Sequence, residues 1–318
     1  MTDACDIFDY YRTTEVLCED DYSEFLVLVQ DESLPDDGAM AVAGLTLSLL
    51  EGQWHAERFM LLLKAFAVSR TDSISERIVV GLLLVMMKYN TIIRENDQLW
   101  EPIQEVLTAN PELTFTALCN IARTHQVKYL EKFNQRMAKD ILPLMNQVGS
   151  DDFYDAIRKH QGEMERIARL YLDQNFLIFK TAYQIPFFQQ RAANWLKLWH
   201  DDQLLNVPEE EREALQEMIH VWPLCDSDKY TLISMPSNLF SMLKGQLQPE
   251  MLNPMAESLG NANIITNGYV QQLYRYFRLS SFSQGAPFDL VAYMRDMLVY
   301  RWIVVGDKAR QTINELLA

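Results

Sequence analysis

SISERIVVGLLLVMMKYN, residues 73–90, decides the fold class. Ser73-Ile74-Ser75-Glu76 has the spacing of a capping box, in which a serine hydroxyl and a glutamate three residues later satisfy each other's orphan backbone amides. Residues 77–90 are apolar on nearly every side, the pattern of a helix enclosed by neighbours. The wholly apolar run 78–87 is half of the ~20 residues that a bilayer-spanning helix needs. Protein must therefore cover it, and the flanking sequence has to supply the covering elements.

Upstream, 37–51 and 54–68 read as an antiparallel helix pair, with Gly52 in the C-terminal turn of the first. Downstream, helical spacing continues over 97–109, 111–123, 125–146 and 152–183, until Pro186 interrupts it. Shorter helices are predicted over 188–200, 208–221, 227–234 and 249–259, with Gly260 as a stop signal. Pro208 and the acidic run 209–211 suit a helix start. Residues 267–279, 289–304 and 307–317 close the chain, with short extended pieces allowed at 264–266 and 303–305. No sustained alternation demands a strand. The expected architecture is all-α: stacked helical hairpins in a solenoid-like, tetratricopeptide-repeat-like superhelix. Gly52-Gln53-Trp54 matches part of a tetratricopeptide signature, with Glu57 where that motif wants a small residue. The seam at 148–151 divides the chain into an N-terminal unit, 1–148, and a C-terminal unit, 149–318.

Composition narrows the function classes. The 318 residues carry 44 acids against 28 bases, a net charge of −16. That balance argues against a general nucleic-acid binder or a polybasic membrane anchor, both of which need a cationic face. Residues 1–11 hold three aspartates and no base, unlike a secretory signal, so a cytoplasmic setting is expected. Cys5, Cys18, Cys119 and Cys225 are scattered and read as reduced thiols. Among the 11 glycines no two lie two, four or five positions apart. That excludes the G-x-G-x-x-G, G-x-S-x-G and G-x-x-x-x-G-K motifs.

No catalytic residue, cofactor or metal site is assigned. Glu217 and His220, at i and i+3, would share a helix face, and define an alternative reading as a helical-bundle metal protein or enzyme. His160 and Glu163 form a reversed pair that leaves a di-metal set incomplete. Charge is more informative. Residues 1–37 contain twelve acids and one base, Arg12, for a local charge of −11. They form either a solvated acidic cap or a docking surface for a basic partner. Lys128, Lys132, Arg136 and Lys139 fall on one helix face, either paired within the fold or open to an anionic ligand or acidic peptide. Phe187, Phe188, Trp195 and Trp199 follow the Pro186 break, and line either the core or a peptide groove.

Five stretches taken in order resemble a known group. They are ISERIVVGLLLVMMKYN (74–90), RTHQVKYLEKFNQRMAKDILPLMNQ (123–147), YQIPFFQQRAANWLKLW (183–199), LCDSDKYTL (224–232), and GYVQQLYRYFRL (268–279) with APFD (286–289). Together they are similar to the uncharacterised helical region preceding the repeats in tetratricopeptide-repeat-type proteins of Bacteroidetes. The resemblance implies an α-helical, solenoid-like fold and a cytoplasmic bacterial setting, and supplies no catalytic residues. The function expected is a non-enzymatic scaffold or adaptor whose partner is another protein.

Overall fold

The computed structural model describes residues 3–297 and 307–318, apart from 142, 145–149, 171, 174, 177–178, 181–182, 210–211, 214, 217–218, 220–223 and 235–260. Among the described residues there is no β-strand, and the fold is all-α. The helices are α1 (Ala4–Thr13), α2 (Glu19–Gln30), α3 (Pro35–Glu51), α4 (Ala56–Val68), α5 (Asp72–Lys88), α6 (Asn90–Arg94), α7 (Trp100–Ala109) and α8 (Pro111–Arg123). They continue with α9 (Val127–Ile141), α10 (Asp151–Arg169), α11 (Pro186–Gln190), α12 (Asp226–Ile233), α13 (Asn261–Leu279) and α14 (Asp307–Leu316). No helix is long and apolar enough to cross a membrane among these residues.

α3 and α5 form the centre. Pro35 starts α3 where a missing amide costs nothing, Asp36 and Asp37 suit its positive end, and every residue from 38 to 50 is buried. α1 and α5 lie against α3, and α2 and α4 cover it from another side. Two glycines allow the close approach. A Cβ at Gly44 would overlap the Phe8 carbonyl oxygen of α1, and one at Gly81 would sit 2.6 Å from the Thr46 hydroxyl. α1, α3 and α5 run parallel, because their C-terminal ends meet. Arg12 of α1 pairs with Glu51 of α3 at 2.9 Å. Lys88 of α5 donates to the orphan carbonyls of Leu49, Leu50 and Gly52 at 3.2, 2.8 and 2.7 Å. α8 continues this layer beyond α5, while α7 extends the α2–α4 layer.

The C-terminal chain closes over the first layer. α13 lies across α5 and α8, and the 3-10 helix Pro287–Asp296 packs against the same two helices. α14 packs on α8, where Gln126 donates to the Leu316 carbonyl at 2.5 Å. The buried apolar residues from Cys5 to Leu317 form one continuous cluster across the seam near residue 150.

Several local expectations give way to tertiary structure. Thr71, not Ser73, precedes the first turn of α5. Glu76 is buried and accepts the Thr266 hydroxyl at 2.6 Å, while the Ser73 hydroxyl accepts from Arg77, so the capping box does not form. The predicted helix 152–183 breaks after Arg169, and residues 176, 179 and 180 are helical again. The next turn is consumed by other partners: the Leu170 carbonyl takes Arg123 Nε at 2.9 Å, and Asp173 turns inward to Arg275. In place of a helix over 188–200 stand the five residues of α11, an extended Arg191 and the 3-10 turn Ala192–Trp195. Side chains take the carbonyls a helix would use: Asn194 Nδ2 and Trp195 Nε1 donate to Phe187 and Phe188 at 2.6 and 2.9 Å.

Residues 264–266 lie within α13 rather than in an extended piece. The segment predicted as a helix over 289–304 is 3-10 over Pro287–Asp296, and 298–304 lies outside the described residues. So do 249–259, Gly260 and 303–305. Within 208–221, residues 209, 212, 213, 215, 216 and 219 are helical.

Candidate functional site

The acidic N-terminal residues fold as the α1–α2 hairpin, anchored from its inner side. Phe8 and Tyr11 of α1, and Phe25 and Val29 of α2, are buried. Asp3, which caps α1, and Asp6 and Asp9 on it recur every three residues and converge on Arg191, at 3.7, 2.8 and 2.6 Å. Against the opposing pull of burial, the hydrogen bonds that Arg191 donates to Asp9 and Asp6 raise its pKa. Asp21 accepts from the Cys18 amide at 2.6 Å and from the Tyr10 hydroxyl. The bond to Asp21 pushes the Tyr10 phenol up to about 12 and holds the Asp21 carboxyl below the usual range. Burial, then the charges of Asp36, Asp3 and Asp31, raise Asp37.

The hairpin's outer side has a different make-up. Asp20, Glu24 and Val27, at i, i+4 and i+7, form one exposed ridge along α2. Val16 and Val27 are 83% and 63% exposed, Tyr10 and Leu34 43% and 41%, so apolar groups protrude among unneutralised carboxylates. Glu15, Glu19, Asp20, Glu24 and Glu32 are exposed and make no ion pair among the described residues.

The basic stripe is also external. Lys128, Lys132, Arg136 and Lys139 are all exposed along α9. Glu163 of α10 takes Arg136. Lys128, Lys132 and Lys139 have no ion pair among the described residues. The carboxylates of α9 itself are engaged elsewhere: Glu131 by Lys180 at 2.7 Å, and Asp140 by Lys159 and His160 at 2.7 and 3.0 Å.

The aromatic segment goes the other way. Phe188, Trp195 and Trp199 are buried, at 0%, 1% and 9% exposure. Half-buried Phe187 stacks on Tyr230 at 4.4 Å between ring centroids. Phe188, Trp195 and Trp199 therefore belong to the core rather than to a peptide groove, while Phe187 packs at its edge. Phe188 and Trp195 pack on Phe179, and Phe179 in turn receives the Arg275 guanidinium over its face at 4.5 Å.

Arg275 is the centre of a buried charge cluster that sequence reading did not single out. Its Nη1 reaches Asp228 at 2.6 Å, Ser227 at 2.9 Å and Cys225 Sγ at 3.0 Å; Nη2 reaches Asp173 at 2.9 Å. Three distant segments meet at this one cation. Burial raises the Asp173 pKa despite the cation, and raises the Cys225 thiol too, so Cys225 is held as an unreactive thiol. The legible signal was a lone carboxylate, Asp173, between the apolar stretches 170–172 and 176–179, together with two acids flanking Ser227.

No family model, curated protein or solved structure matches this chain.

Glu217 and His220 lie outside the described residues. No group of three or more His, Cys, Asp or Glu among the described residues is arranged to hold a metal ion. Cys5, Cys119 and Cys225 are buried free thiols, and Cys18 is an exposed one. One small cavity lies beside Asn120, Arg123, Asp173 and Gln271. Its volume of ≈ 10 Å³ suits a single water and is too small for a metabolite.

Proposed function

We propose that this protein is a non-enzymatic helical adaptor that docks another protein on the outer side of the α1–α2 hairpin. One observation carries the reading. The hairpin exposes Val16, Val27 and Tyr10, with Leu34 just beyond it, and its exposed Glu15, Glu19, Asp20 and Glu24 make no ion pair among the described residues. Exposed apolar groups on an acidic hairpin suit a basic, partly apolar partner, with charge steering the encounter and the apolar groups holding it. The exposed carboxylates disfavour nucleic acid and an anionic membrane surface as partners.

The proposal extends to the architecture and the setting. A solenoid-like, tetratricopeptide-like stack is supported by the order of contacts, in which α1, α3, α5 and α8 form one layer and α2, α4 and α7 another. α13 covers α5 and α8, so the face that such a stack normally offers to a partner is taken up by this chain itself. The covered face thus supports docking on the acidic hairpin instead. The resemblance to the Bacteroidetes proteins and a cytoplasmic setting belong to the same proposal, as does action without a cofactor.

The test uses the full chain and a labelled synthetic peptide that forms a basic amphipathic helix, with binding read by fluorescence anisotropy. Binding is expected at about 0.01 M salt and lost at about 1 M, where the screening length falls from about 30 to about 3 Å. Asp20→Lys with Glu24→Lys, and separately Val27→Asp, are expected to weaken it at least about tenfold. Equal binding by wild type and both variants refutes the reading.

A further inference from the structure

We propose that the hairpin's partner includes a second copy of this chain, which presents the lysine face of its α9. The inference rests on the docking role of the α1–α2 hairpin and names an occupant for it. Lys128, Lys132 and Lys139 stand exposed on α9 with no ion pair among the described residues. Glu131 and Asp140, the acids nearest them in sequence, are already engaged by Lys180, Lys159 and His160, so the stripe keeps its charge. Asp20 and Glu24 on α2 are likewise exposed without an ion partner among the described residues.

The two faces also match in spacing. Lys128 and Lys132 are four residues apart, as are Asp20 and Glu24, and four helical residues rise about 6 Å. Two helices laid side by side therefore bring both pairs together at once. Val27, 63% exposed and three residues beyond Glu24, then lies along the aliphatic stems of the lysines. The chain thus carries both halves of one contact on different surfaces. Such a contact between unlike surfaces either closes by mutual exchange about a two-fold axis or propagates head to tail.

Sedimentation velocity of the full chain, over about a hundredfold range of concentration, tests this. Concentration-dependent association is expected at about 0.01 M salt, with a monomer at about 1 M. Lys128→Glu with Lys132→Glu and Lys139→Glu is expected to weaken association at least about tenfold, as is Asp20→Lys with Glu24→Lys. Mixing these two variants is expected to restore it, because the swapped faces are again complementary. All five positions are exposed, and circular dichroism checks that each variant keeps its helix content.

A chain that stays monomeric at low salt overturns the inference, as does association unaffected by the lysine reversals or a mixture that fails to associate. The lysine variant also separates the two levels. If it binds the basic peptide as wild type does while wild type never self-associates, only the second-copy inference falls. If no form binds the peptide, the docking role falls as well.

Discussion

Replacing Arg275 by methionine gives the sharpest test of what holds the C-terminal half in place. The side chain is fully buried and contacts two carboxylates, Asp173 and Asp228, which are themselves only 9% and 7% exposed. Methionine keeps much of the volume and removes the charge and every donor, leaving two buried carboxylates facing each other. Breaking a buried ion pair from one side costs about 3–5 kcal/mol, against a total stability of about 5–15 kcal/mol for a typical domain.

The loss should depend on pH. Burial raises Asp173 above 3.8 even with the cation present. A carboxyl whose folded-state pKa is raised contributes stability that is fully present below its unfolded value and is lost as pH rises through the folded one. Removing Arg275 takes away the charge that opposes this shift, and the folded value climbs further. The deficit of Arg275→Met relative to wild type is therefore smallest near pH 3.8 and grows toward neutrality. Urea unfolding followed by circular dichroism, at about pH 4.5 and about pH 7.5, reads this directly. Adding Asp173→Asn and Asp228→Asn to Arg275→Met should recover much of the loss, since no unpaired charge remains buried. The same deficit at both pH values, or a triple variant no better than the single one, would refute the electrostatic account.

Other substitutions probe the packing and a second buried acid. Gly44→Ala should destabilise by about 1–3 kcal/mol in urea unfolding, because its Cβ would meet the fixed Phe8 carbonyl. Gly162→Ala, in α10 with nothing within 4 Å of the added carbon, should instead stabilise by about 0.5–1 kcal/mol. Burial raises the Glu76 pKa, so Glu76→Gln should gain stability over wild type as pH rises above 4.5, with the gain vanishing in more acid solution. Thr266→Val, which removes the hydroxyl donated to Glu76, should cost about 1–3 kcal/mol at neutral pH in the same assay.

Helix placement follows closely from local pattern between residues 37 and 123, although the short α6 is not predicted by it. The predicted helix 111–123 coincides with α8, and 37–51, 54–68 and 77–90 lie within a few residues of α3, α4 and α5. Those segments are apolar enough that burial and helical propensity agree. Agreement fails where side chains compete for backbone groups. Between 170 and 200, Arg123, Asn194 and Trp195 take carbonyls that a helix would use, and Asp173 is drawn to a cation 102 residues away. No local pattern encodes partners at that separation.

The charged surfaces divide in the same way. Sequence alone determined that the first 37 residues are acidic and that four cations share one face of α9, because composition and a 3.6-residue period require no distant partner. Only tertiary structure decided which of those charges remain unpaired. Arg191 crosses from another segment to neutralise α1, Glu163 takes Arg136, and the exposed ridge of α2 and three lysines of α9 have no ion pair among the described residues. The aromatic residues illustrate the converse. Their types favoured a core and left a groove as the alternative, and the outcome turned on partners such as Phe179, which lies beside Arg275 only when the chain folds. Periodicity fixes which face a residue occupies, whereas burial depends on what the rest of the chain brings to that face.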